Sequence, residues 1–141
     1  MVPQLDNQPE TAEEQLRFAA GATFGSKNSR GNLMTNARVV LTTVGLKDAA
    51  EKLAQQLVER RLAACVNIVG PIRSIYRWKH KVNNEQEYLL LIKTTAEHAA
   101  QLRSAFEALH PYEVPECVEL AINGGSEEYL AWLAAEVSSG E

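Results

Sequence analysis

Cysteine is scarce in this chain, with only Cys65 and Cys117 among 141 residues. Neither belongs to a CxxC pair, so a disulfide framework, a zinc knuckle and dithiol redox chemistry have no local support. Both read first as small buried hydrophobes. Nowhere do about 18 apolar residues run together, so no membrane-spanning helix is expected. The opening MVPQLDNQPETAEEQ is acidic where a secretory signal carries positive charge and then an apolar run, which makes a cytoplasmic location the expectation. No charge of one sign dominates either. With 14 Lys+Arg against 18 Asp+Glu the net charge is -4, too little positive field to draw in a polyanion, and nucleic acid is not an expected partner. Aromatic residues make up 6% of the chain, and the first apolar run, residues 39–44, contains none that could stack bases as an RNA-recognition sheet does.

Catalytic signatures are missing as well. There is no G-x-S-x-G elbow, no glycine-rich phosphate loop and no His-x-Glu with a Cys pair. The first strand leads into Thr43-Val44-Gly45-Leu46 without the arginine that acylphosphatase-type chemistry would need. The expectation is a protein that is not an enzyme.

What is present is one domain's worth of regular pattern, and a 45% hydrophobic content suffices for a single core. Residues 1–36 stand apart, with Pro3, Pro9, three glycines and a short helical possibility over 11–20, and read as a flexible leader. Met34, just before the first strand, offers an alternative start of translation. The folded domain is expected over 37–138, with 139–141 as a tail. Residues 39–44 form a β-branched run of strand length, apolar enough to lie centrally in a sheet. Between 47 and 61, Ala50, Leu53, Ala54, Leu57 and Val58 recur at helical spacing, with Asp48 near the positive end. Residues 64–78 form a second strand, bent at Gly70-Pro71, and 85–93 a third, with the turn assigned to Asn83-Asn84. Thr94 and Glu97 have capping-box spacing ahead of a helix that Pro111 stops. Residues 116–122 alternate as a fourth strand, and Ser126 caps a last helix anchored by Tyr129, Trp132 and Leu133.

Strand, helix, strand, strand, helix, strand and an added helix is the α+β, ferredoxin-like split βαβ order, with two helices over one face of a four-stranded antiparallel sheet. The other face, and a hairpin long for so small a domain, call for cover from identical copies.

LAACVNIV at 62–69, SIYRW at 74–78, EYLLLIKTT at 87–95, HPYEVPE at 110–116 and YLAWL at 129–133 occur together in the order and spacing of the CutA divalent-cation-tolerance family. The resemblance covers about residues 38–136. It implies a homotrimer, similar to the PII signalling proteins, whose long hairpins pair at subunit edges and which takes part in tolerance of divalent metals such as copper. Where copper ligands are assigned in the family, they are a Cys near the end of the first strand and a His-His pair before the HPY proline. Here those positions are Thr42, Leu109 and His110, so the resemblance leaves His110 as the one metal candidate, and copper or another divalent cation would be held weakly.

Each conspicuous residue has a plainer reading beside this one. His110 ends a helix, where an imidazole can cap the last carbonyls. His80 and His98 read as solvated residues, and Cys65 as packing. Trp78, Tyr112 and Trp132 suit interface anchors as well as a ligand crevice. Glu87, Lys93 and Glu116 stand in apolar strand contexts where unpaired charge is costly, so polar contacts around a cleft with His110 and Tyr112 are expected. The expected inter-subunit cleft therefore comprises Cys65, Trp78, Glu87, Lys93, His110, Tyr112, Glu116 and Trp132. Its ligand is either a divalent cation or, on a PII-like reading, a small molecule whose binding is signalled to a partner.

Overall fold

A computed structural model describes residues 35–138; residues 1–34 of the expected leader, Met34 among them, and the tail at 139–141 lie outside the described residues. The elements are β1 (Ala37–Val44), α1 (Lys47–Glu59), β2 (Cys65–Trp78), β3 (Lys81–Thr95), α2 (Ala96–Leu109), β4 (Val118–Ala121) and α3 (Glu127–Val137). The sheet order is β2-β3-β1-β4 with every neighbouring pair antiparallel, which is the split βαβ arrangement the element order implies.

The two-residue period of the strands sorts the sheet into two faces. Val40, Thr42 and Val44 of β1 stand opposite Ile92, Leu90 and Tyr88 of β3 and meet the apolar stripes of both long helices. Those stripes are Ala50, Leu53, Ala54 and Leu57 on α1 and Ala99, Leu102 and Phe106 on α2. Val58, assigned by spacing to the same stripe, is 42% exposed, because α1 turns it past the edge of the core.

The reverse face carries Val39, Leu41, Leu89 and Leu91, half-buried, with Val69, Val118 and Leu120 exposed beside them. It is not wholly bare. α3 packs Leu130, Trp132, Leu133 and Val137 against Ala37 and Ala64 and covers one end of it, a correction to the expectation that one face alone is clothed by this chain's helices. Ser126 caps that helix as expected, its Oγ accepting from the Tyr129 N–H at 3.3 Å.

Three local expectations change. The hairpin turns at Lys79-His80, whose φ values are 50° and 65°, and Asn83 and Asn84 lie within β3 opposite Tyr76 and Ile75. Cross-strand pairing of aromatic and β-branched residues outweighs the tolerance of asparagine for positive φ, and β3, starting at Lys81 rather than at residue 85, gains four pairs. Thr94 does not cap α2. It stays in β3 and donates to the Leu62 carbonyl at 2.7 Å, while the following Thr95 precedes the helix and meets His98 Nδ1 at 2.8 Å, which leaves His98 half-buried rather than solvated. β4 is shorter than the 116–122 run, ending at Ala121 because only 118–121 find partners on β1. The bend at Gly70-Pro71 is present as a register shift between Val69 and Ile72.

Candidate functional site

Beyond the core, the β2–β3 ribbon projects two distinct faces. Residues opposite one another across an antiparallel pair point the same way, so Ile72 with Glu87, Ser74 with Glu85, Tyr76 with Asn83 and Trp78 with Lys81 share one side. Arg73, Ile75, Arg77 and Val82 take the other. The first side faces the segment 111–116, which follows α2 because the residue before Pro111 leaves the helical region, His110 having ψ 136°. Between ribbon and segment lies a cleft of about 850 Å³ whose walls include Ser74, Tyr76, Trp78, Glu85, Glu87 and Glu116.

A hydrogen-bonded chain runs behind it. The Tyr112 hydroxyl donates to Glu87 Oε2 at 2.6 Å, and the Tyr112 backbone N–H donates to His110 Nδ1 at 3.1 Å. Because Nδ1 accepts, the ring proton sits on Nε2, which lies 2.9 Å from Thr42 Oγ1 and donates to it. The His110 ring is packed between Phe106 and Tyr112 in tilted contacts, with centroids 5.2 and 5.1 Å away and interplanar angles of 56° and 55°. Burial holds its pKa below the ordinary histidine value. Burial together with the bond to Glu87 pushes the Tyr112 phenol up, and a hydrogen bond with Glu85 does the same to Tyr76. Glu116 is raised by burial and then by the charge of Glu87.

Of the residues expected at the cleft, Trp78, Glu87, Tyr112 and Glu116 line it, and His110 lies directly behind. Cys65, Lys93 and Trp132 do not. Within one chain Glu87 and Lys93, six residues apart on one strand, stand about 20 Å from each other at the usual rise; a cleft between subunits would bring them together from different copies. Lys93 Nζ donates to Asn67 Oδ1 at 2.6 Å and lies 6.0 Å from the Tyr129 ring centre; Cys65 Sγ is 3.8 Å from the same Asn67 oxygen. Trp132 is buried against α3's own cluster, with Tyr129 at 5.6 Å. Cys65 and Cys117 are half-buried rather than fully enclosed. Sequence reading missed Tyr76 and Glu85. The signal existed, since a turn centred on 79–80 places Glu85 opposite Ser74, whereas one centred on Asn83-Asn84 hides that pairing.

The copper-ligand positions do not form a metal set. Thr42 and His110 do meet, but each ring nitrogen of His110 already holds a hydrogen bond, and Leu109 offers only carbon. Among the described residues no three His, Cys, Asp or Glu side chains cluster closely enough to hold a metal ion.

A four-stranded antiparallel sheet in split βαβ order with an added helix defines the class: a small α+β domain of ferredoxin-like type. The family model described as CutA1 divalent ion tolerance protein matches residues 38–136, and the chain belongs to that family. It is 54% identical over 95 residues to the divalent-cation tolerance protein CutA of Thermus thermophilus, a match spanning 67% of this chain and 92% of that one. It is 47% identical over 95 residues to the chloroplastic protein CutA of Arabidopsis thaliana, where the match spans 67% of this chain and only 52% of the plant protein. Among solved structures, that of the Thermus thermophilus protein has a TM-score of 0.69 at 51% identity, covering 71% of this chain and 97% of its own. CutA of Xylella fastidiosa has a TM-score of 0.72 at 36% identity, covering 74% and 100%.

Proposed function

We propose that this chain is a non-catalytic binding protein of the response to divalent cations, that it works as a homotrimer, and that the cleft between the ribbon and residues 111–116 takes a cation. The observation that carries this is Glu87. Its side chain is 5% exposed, it accepts one hydrogen bond, from Tyr112, and among the described residues no Lys or Arg forms a salt bridge with it. A buried carboxylate without a counter-charge is costly, and a cation entering the cleft supplies one. Glu85, Glu113 and Glu116 on the same walls add to the attraction.

Support for assembly comes from the reverse face of the sheet, where Val69, Val118 and Leu120 are exposed beside half-buried leucines, and from Ile75 and Val82, 68% and 60% exposed on the ribbon. Large apolar residues exposed in this number mark surface that association covers, and identical copies are the simplest cover. The small-molecule reading draws on the cleft's size and on Tyr76 and Trp78, since a lone ion needs neither the volume nor the rings.

Native mass spectrometry of the full chain, with and without copper, zinc, magnesium or butylammonium chloride, tests both parts. The expected result is a threefold mass that retains a cation in a manner abolished by Glu87→Gln. A lone subunit at low micromolar concentration, with nothing retained, would overturn the proposal.

A further inference from the structure

We infer that the cation this cleft takes is organic: an ammonium or guanidinium group on an apolar stem, its charged end between Glu85 and Glu87 and its stem along Tyr76 and Trp78. The inference rests on the reading of the cleft as a cation site and names the ligand's class.

A bound metal ion needs several oxygens converging within about 2.0–2.6 Å of one point. The cleft's carboxylates are spread instead along its walls, and no three of them gather as a metal set. Glu85 and Glu87 stand two residues apart on the same face of β3, about 7 Å along the strand, a separation that a forked or three-donor head can address better than a point charge. One oxygen of Glu87 is engaged by the Tyr112 hydroxyl; the other, Oε1, has no partner among the described residues. Since every fully buried side-chain oxygen and nitrogen there is satisfied, Oε1 is open to the cleft that Glu87 lines. A carboxylate that is nine-tenths buried and lines the cavity thus keeps one oxygen without a hydrogen-bond partner among the described residues.

The walls select the rest of the ligand. Trp78 is 49% exposed with Tyr76 beside it on the cleft wall, and Val114 adds aliphatic surface. Indole and phenol faces attract cations and cover methylene stems. Among the described residues no cation fills the place. Lys81, on the same ribbon face, stands at the tip opposite Trp78 outside the cleft lining, and Arg73 and Arg77 point from the other face.

The test is calorimetric titration of the full chain, with tryptophan emission followed in parallel. The probes are 2-phenylethylamine, 1-butylguanidine, the neutral 2-phenylethanol, and the chlorides of magnesium, manganese and zinc. The amine and the guanidine should bind and shift the emission of Trp78, with the alcohol about tenfold weaker or more, the range expected for losing a charged hydrogen bond. Glu87→Gln, which keeps an acceptor for Tyr112, and Glu85→Gln on the exposed ribbon should each weaken the amine about tenfold with circular dichroism unchanged; Trp78→Ala should remove the emission change. If metal ions bind through Glu87 and amines do not, the organic class is wrong while the cation site stands. If no cation binds, the reading of the cleft itself falls. Equal binding of alcohol and amine, or amine binding that appears only after Arg73→Ala and Arg77→Ala, also overturns the inference, the latter because a second copy's guanidinium would already occupy the place.

Discussion

His110 sends each ring nitrogen to a different element, Nδ1 to the backbone of Tyr112 and Nε2 to Thr42 on β1. A second ring proton would place two N–H groups face to face at Nδ1 and break the tie that holds the 111–116 segment to the sheet. Burial already lowers the folded-state pKa, so the unfolded chain takes up the proton more readily. The contribution is therefore full above the ordinary value of 6.5 and is lost as pH falls through the lowered folded pKa. Glu116, raised by burial, acts with the opposite sign: its contribution is full below its ordinary value of 4.5 and fades as pH rises through its folded pKa. Thermal unfolding between pH 8 and 5 should show the midpoint dropping on the acid side. His110→Gln should lower stability near neutrality by about 1–3 kcal/mol, as for an emptied buried partner, and flatten the drop. An undiminished acid slope in the variant would assign the titration to another group. The expected capping of the last helix carbonyls by the His110 ring does not occur: only its backbone N–H reaches the helix, at the Phe106 carbonyl, 2.9 Å, because the ring is drawn instead to Tyr112 and to Thr42, 68 residues away.

At the scale of elements, the ribbon depends on Gly70. A Cβ there would lie 2.4 Å from Tyr88 Cδ2, so the ring of Tyr88, on the helix-covered face of β3, fills the room a side chain would take. Gly70→Ala should cost about 1–3 kcal/mol in denaturant unfolding, as overpacking does. Adding Tyr88→Leu should return part of it, and a double variant no more stable than the single one would show that the clash is not the cause. The sequence marked the bend correctly because Gly-Pro disrupts a strand ladder wherever it falls. It misplaced the turn because asparagine's backbone tolerance is a local preference, while the register belongs to the whole ribbon. Moving the turn from 83–84 to 79–80 changes which residues face the cleft, and Glu85 and Tyr76 enter it on that account.

For the whole molecule, the decisive surface is the reverse face of the sheet. Leu120 is 48% exposed there in the single chain, so Leu120→Glu has little to disturb in an isolated subunit. In the proposed assembly it would bury a charge without a partner. Size-exclusion chromatography with light scattering should show the variant as separate subunits with an unchanged far-ultraviolet spectrum. A trimer that survives the substitution would mean that the copies associate through another surface.

Periodicity by itself determined the strands, the helices and their order, and with them the split βαβ class, because amphipathic spacing reflects burial that each short segment imposes on its own neighbours. Tertiary structure alone decided which residues share the cleft. Glu87 and Tyr112 are separated by 25 positions, and Lys93, near Glu87 in the chain, is carried away from it by the straightness of a strand. Pairing register and side-chain reach act between segments rather than within them, so no local window of sequence contains their outcome.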